Sequence, residues 1–160
     1  MNKIKIFYHD LELPKIEQIE KGNWIDLRAS KIIIKTGNTK REVDLKKEGY
    51  LAYGPYAEMM INLGVSMNIG EYEAHLAPRS STFKKYGLIQ TNHVGVIDSS
   101  YCGQNDIWHM PCFSLKPGRI TYGDRVCQFR LVEPMNKVEF IEVDSLIGED
   151  RGGFGSTGTT

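Results

Sequence analysis

From Glu71 onward, turn residues cut the chain into short apolar runs at regular intervals. The runs LIQTNHVGVI, IWHMPCFSL, RVCQFRLV and KVEFIEV are separated by DSSYCGQ, KPGRITYGD and EPMN. Runs of this length, bounded by Gly, Pro, Asn and Asp, read as strands, and several in succession predict an all-β sandwich or barrel. The first half is less regular. KIKIFYH places Ile4, Ile6 and Tyr8 on one side and predicts an opening strand, and KIIIK over Lys31–Lys35 predicts another, followed by a turn at Thr36-Gly37-Asn38. KIEQIEKG, from Lys15 to Gly22, has room for a turn or two of helix stopped by Gly22. Residues 38–48 are polar and charged with no clear period, and Gly54-Pro55 interrupts any helix through Tyr50, Tyr53 and Tyr56.

Composition narrows the class. The chain has 160 residues, enough for one domain to bury a core without disulfides or structural metal. Lys+Arg and Asp+Glu both number 20, giving a formal net charge of zero, which argues against nucleic acid or a membrane surface as partner. Three cysteines, an odd number without a Cys-x-x-Cys pair, read as free thiols in a reducing compartment. The basic N-terminus lacks the apolar core of a signal peptide, and no run approaches the ~20 apolar residues of a membrane span, so a cytoplasmic protein is expected. No repeat or second domain is apparent. The expected organisation is one β domain over 1–148 and a glycine-rich tail over 149–160.

Several stretches hold residues suited to chemistry, each beside a plainer structural reading. Arg79, Ser80 and Ser81 combine a planar cation with two hydroxyls, the makings of an anion cradle or of a polar turn after Pro78. Asp98 follows the apolar Val94, Val96 and Ile97 and opens a turn, either as a general base for water or as a turn-former. Tyr101 is placed to stack or to pack, and Asn92 carries donors and an acceptor suited to a pyrimidine edge. Gln128, inside an apolar strand, faces solvent or a ligand, and Asp26 beside Arg28 suggests an ion pair or turn. His93 is one of four scattered histidines without metal-ligand spacing. The tail RGGFGSTG offers backbone N–H groups, Ser156 and Thr157 hydroxyls, the Arg151 charge and the Phe154 ring, but no Gly-Lys-Ser/Thr of a Walker loop.

The order of these elements is more specific than any one of them. Asp26-Leu27, Pro78-Arg79-Ser80-Ser81, Gly95-Val96-Ile97-Asp98 with Tyr101 and Gly103, Gly123-Asp124-Arg125 with Gln128, and Arg151-Gly152 followed by Phe154-Gly155-Ser156-Thr157 resemble the five motifs of the trimeric dUTP diphosphatases. The resemblance runs from about Leu13 to the C-terminus. It implies a distorted jelly-roll or β-barrel homotrimer that hydrolyses dUTP to dUMP and pyrophosphate with Mg²⁺, at sites shared between subunits. It implies that Asp98 activates the attacking water and that Tyr101 packs under the deoxyribose. Asn92, with backbone around Gly95, Val96 and Ile97, would read uracil. Arg79, Ser80, Ser81 and Gln128 would hold phosphates, and Asp26 would meet the metal only through water. A flexible C-terminal arm would close over the nucleotide, with Arg151, Gly155, Ser156 and Thr157 at the phosphates and Phe154 on the base. The chain departs from the pattern at Asn23-Trp24-Ile25, at Ser81, at Cys102 and in a shortened spacing between Arg151 and Phe154.

The resemblance also carries alternatives. A related dCTP deaminase shares Arg-Ser-Ser and Ile-Asp stretches, but its chemistry needs a Glu a few residues on, and residues 99–115 contain none. Some phage-type members also bind a repressor protein; residues 38–57, an extra surface segment beside compact members, are either a docking segment for it or a plain surface loop.

Overall fold

The computed structural model describes residues 3–150 and Gly152. Its elements are β1 (Lys5–Tyr8), β2 (Ile25–Arg28), β3 (Lys31–Thr36), β4 (Thr39–Asp44), α1 (Leu45–Glu48), β5 (Tyr50–Tyr53), β6 (Glu58–Asn62), β7 (Val65–Asn68), β8 (Glu73–Pro78), α2 (Thr82–Tyr86), β9 (Leu88–Gln90), β10 (Gly95–Ile97), β11 (His109–Ser114), β12 (Gly118–Thr121) and β13 (Arg125–Val132). Alternation of buried and exposed side chains is what most strands share, as a pleated strand with one face on a core requires. The expected all-β class is observed: every strand pairing is antiparallel. One sheet runs β10-β8-β13-β2, a second β4-β3-β6-β11-β9, and two ribbons pair β1 with β7 and β12 with β5. Inward residues of all four enter one core, among them Leu76 and Phe129 from the first sheet, Ile61 and Met110 from the second, and Met67 and Ile120 from the ribbons. Trp108, fully buried, meets Phe129 edge-on at 5.1 Å between ring centroids.

Four segments differ from their sequence reading. Residues 118–121, inside the separating stretch KPGRITYGD, form β12. Residues 38–57 are built into the domain: β4 pairs with β3 and β5 with β12, and Val43, Leu45, Leu51, Tyr53 and Ala57 are buried. The charged residues of β4 occupy its exposed positions, which hid the strand period behind a polar composition. Residues 15–22 form no helix; so short a helix is marginal in water, and the Ile16 N–H instead donates to the Tyr8 hydroxyl at 2.9 Å. The run KVEFIEV, at 137–143, forms no strand. It has no partner strand among the described residues, and Phe140 stands 93% exposed. The apolar run is real, but its covering surface is not supplied by the described residues.

Among the described residues, no helix is long and apolar enough to cross a membrane. Cys112 and Cys127 are buried free thiols, and burial pushes the Cys112 thiol up to about 12, far from a nucleophile's range.

A tight approach closes the ribbon against α2. A Cβ on Gly118 would lie 2.6 Å from the Tyr86 carbonyl oxygen and 2.7 Å from the Tyr53 hydroxyl. That hydroxyl donates to the same carbonyl at 2.8 Å. Gly118→Ala is therefore expected to destabilise the protein by about 1–3 kcal/mol. Urea denaturation should show a lower midpoint at unchanged slope.

Candidate active site

Two groups of polar residues sit at opposite ends of β8. At its C-terminal end, β13 and β2 bring Gln128 and Asp26 into register with Ala77 across neighbouring strands. Arg79, the residue after β8, donates from Nε to Asp26 Oδ1 at 2.7 Å, and Arg125 donates from Nη1 to Asp26 Oδ2 at 3.0 Å. One carboxylate thus bridges two guanidinium groups, and the cluster keeps a net positive charge suited to a polyanion. Arg79 and Asp26 are half-buried, which fixes their geometry better than a fully solvated pair would be fixed.

The Arg79-Ser80-Ser81 turn is held from below. Fully buried Thr82 accepts from the Arg79 N–H at 2.9 Å and donates its hydroxyl to the Val126 carbonyl at 2.9 Å. Ser80 and Ser81 are exposed, and the Ser81 side chain makes no capping bond at the start of α2. Gln128, half-buried, donates to the Pro78 carbonyl at 3.3 Å. On the other side, Arg28 donates to the Gly123 carbonyl at 2.8 Å and so pins the turn that presents Arg125.

Between β9 and β10 the chain crosses from one large sheet to the other, β9 pairing with β11 and β10 with β8. Gly95 lies opposite Leu76, so the intervening turn sits toward the Arg79 end of β8. Asn92 is exposed at this turn, next to His93, which adopts a positive φ of 53°. Gly95 is closely packed, since a Cβ there would approach Leu76 side-chain and carbonyl atoms at 3.2–3.4 Å. Asp98 follows β10 and is exposed. Its Oδ1 accepts from the Ser100 hydroxyl at 2.5 Å and from the Ser100 N–H at 2.8 Å. These bonds favour the ionised form and hold its carboxyl below the ordinary carboxylate range. Tyr101 donates its N–H to the Asp98 carbonyl at 3.0 Å and its hydroxyl to the Ile107 carbonyl at 3.2 Å, and remains 41% exposed.

Within one chain these two groups do not meet. Ile97 lies opposite Ala74, so Asp98 leaves the sheet level with Glu73, whereas Arg79 follows Pro78 at the other end of β8. Six residues of extended chain span about 20 Å. The chain brings Asp26, Arg79 and Gln128 together and, separately, Asp98 and Tyr101. Arg151, Phe154, Gly155, Ser156 and Thr157 lie outside the described residues. Arg125 and Thr82 were missed as site residues in the sequence. Arg125 stood in plain view in the fourth motif, while nothing in the sequence marks Thr82 as a brace.

A family model described as dUTPase matches residues 31–158. The chain belongs to the dUTPase family. It is 46% identical over 158 residues to the SPbeta prophage-derived deoxyuridine 5'-triphosphate nucleotidohydrolase of Bacillus subtilis, covering 98% of this chain and 99% of that protein. Among solved structures, the Staphylococcus bacteriophage 80alpha dUTPase with dUPNHPP superposes with a TM-score of 0.71 at 17% identity, covering 99% of this chain and all of that one. A mutant dUTPase from phage phi11 of Staphylococcus aureus gives a TM-score of 0.65 at 15% identity over 92% of this chain. At these identities the structures establish the dUTPase fold, and the jelly-roll-like reading of the sequence stands.

The Ser100 contacts have a measurable consequence. Removing the hydroxyl in Ser100→Ala leaves Asp98 with one donor fewer, so its carboxyl should titrate at a higher pH than in the parent, nearer the ordinary value of about 3.9. A carbon-13 NMR titration of the Asp98 carboxyl would register the rise.

Proposed function

We infer that this chain is a dUTP diphosphatase, converting dUTP and water to dUMP and pyrophosphate. The observation that carries the reading is the presence, in a dUTPase-family chain, of an arginine-rich cluster suited to phosphates and of an exposed carboxylate, Asp98, in the same turn as the exposed Tyr101. Such hydrolysis needs positioning and charge neutralisation more than covalent help. In the proposed mechanism, Asp98 takes the proton from a water whose oxygen attacks the α-phosphorus. The bond from that phosphorus to the bridging oxygen breaks, and pyrophosphate leaves. Tyr101 packs under the deoxyribose and excludes a 2′-hydroxyl. Asn92, with the backbone of Gly95, Val96 and Ile97, reads uracil. Arg79, Ser80, Ser81 and Gln128 hold the phosphates. Arg125 shares Asp26 with Arg79 and keeps that end positive.

The donor set also bears on Mg²⁺, since the phi11 structure concerns the coordination of a structural Mg(II) ion. Among the described residues no group of three or more His, Cys, Asp or Glu is placed to hold a metal. A single nearby carboxylate, Asp26, fits an ion carried mainly by phosphate oxygens and water. When bound, Mg²⁺ supplies neutralisation of the triphosphate charge.

The separation of about 20 Å along β8 supports a site completed by a second copy, with the homotrimer as the assembly. The exposed Val138, Phe140, Ile141 and Leu146 support it too, as apolar surface awaiting a neighbour. The glycine-rich arm, with Arg151, Phe154, Gly155, Ser156 and Thr157, would close the site against bulk water. The reaction limits uracil in DNA and supplies dUMP for dTMP synthesis, which places the enzyme in the cytoplasm, that of the host if the gene is phage-borne. Phage dUTPases are described as controlling transfer of virulence genes. Here residues 38–57 serve β4, α1 and β5, and no separate docking insert stands out there for a repressor protein.

Asp98→Asn is expected to fold and bind dUTP while pyrophosphate release falls by about 10²–10⁴; normal turnover would remove Asp98 as the base. Truncation after Asp150 should leave the oligomer intact by sedimentation and abolish most turnover, whereas full activity would strip the arm of its role.

A further inference from the structure

Gln90, the last residue of β9, is 2% exposed and sits directly beneath the turn that carries Asn92. Its Nε2 donates to the Leu76 carbonyl at 3.0 Å and to Asn92 Oδ1 at 2.9 Å. Its Oε1 is buried and has no partner among the described residues. An apolar residue would avoid leaving a buried acceptor unpaired, so this glutamine is a costly choice for filling space alone.

The two bonds have a directional logic. A backbone carbonyl can only accept, so Leu76 compels Gln90 to turn its NH₂ toward β8. The second proton of that NH₂ is then available only to an acceptor, and Asn92 must offer its oxygen. With Oδ1 committed to Gln90, the other arm of the Asn92 amide, its NH₂, is what the turn presents to solvent. A fixed carbonyl in the sheet thereby sets the polarity of an exposed side chain two hydrogen bonds away.

We propose that Gln90 is a positioning residue for base selection: it locks the Asn92 amide as a hydrogen-bond donor, which suits the 4-carbonyl of a uracil ring and opposes the 4-amino group of a cytosine ring. Rotated by half a turn, the same amide would present an acceptor and welcome the amino group. The lock therefore biases the site against cytosine nucleotides by opposing donor to donor. The inference deepens the proposed reading of Asn92 and rests on it.

Gln90→Met keeps an unbranched chain of similar length but removes the donor; Gln90→Leu is a second apolar replacement. Calorimetric titration of the full-length protein with dUMP and with dCMP, without metal, reads selectivity apart from turnover. The expected result is a roughly tenfold fall in the dUMP-over-dCMP affinity ratio for either folded variant, one hydrogen bond's worth. Thermal melting should be unchanged or raised, because the orphaned oxygen is gone. A wild-type ratio in a folded variant would overturn the proposal, as would failure of both variants to fold, which would make Gln90 structural. Asn92→Ala serves as the control. If it loses selectivity while the Gln90 variants keep theirs, only the lock falls; if it too keeps selectivity, the Asn92 reading falls and takes the lock with it.

Discussion

Strand β8 is hydrogen-bonded along one edge to β10 and along the other to β13, and most of the candidate site hangs on that double pairing. The β13 edge brings Gln128 alongside and, one strand further, Asp26 of β2. The β10 edge leads from the Asn92 turn, near the Arg79 end of β8, to Asp98 and Tyr101 at the Glu73 end. Buried apolar residues lock the register, because a slip of one residue would send Leu76 and Phe129 to the outer face. The same register that gives the core its packing sets which polar residues meet and which stay apart.

Within this frame, each functional side chain is held through a neighbour with no chemistry of its own. Thr82 braces the Arg79 turn from inside the core, Arg28 fixes the turn before Arg125, and Ser100 holds the Asp98 carboxylate with its N–H and hydroxyl. A comparable brace lies further off. The Asp10 carboxylate accepts from the Tyr122 hydroxyl at 2.8 Å and the Ser30 hydroxyl at 3.0 Å, tying the N-terminal segment to the start of that same turn. Burial alone would raise the Asp10 carboxyl, but its hydrogen bonds outweigh burial and hold it low. Such bonds restrict rotamers, and a site that works by positioning depends on that restriction.

Much of this was legible in the sequence, for reasons that can be named. The Gly- and Pro-punctuated runs became β9, β10, β11 and β13 because turn chemistry is local and strand period survives where one face is apolar, whereas β12 arose inside the separating stretch KPGRITYGD. The motif residues Asp26, Arg79, Asp98 and Gln128 were identified by order along the chain. Their partnerships were not, since Asp26 lies 99 residues from Arg125 and no local pattern encodes that contact. Strand β4 was invisible because Val43 is its only fully buried residue among charged neighbours. The lock by Gln90 was unreadable because its anchor is the Leu76 carbonyl, a group every residue type possesses. The run at 137–143 was misread as a strand of this domain because alternation reports a face to be covered, without saying which molecule covers it.

The distance between Asp98 and Arg79 along β8 carries a genetic implication. In the proposed assembly, the carboxylate of one subunit serves the arginines of another. Lesions in the two halves then need not share a fate. A cell carrying one copy defective at Asp98 and another defective at Arg79 would assemble mixed oligomers in which some interfaces pair two intact halves. Two null alleles of a single gene would restore each other in part, and the sheet register that separates the two residues is the reason.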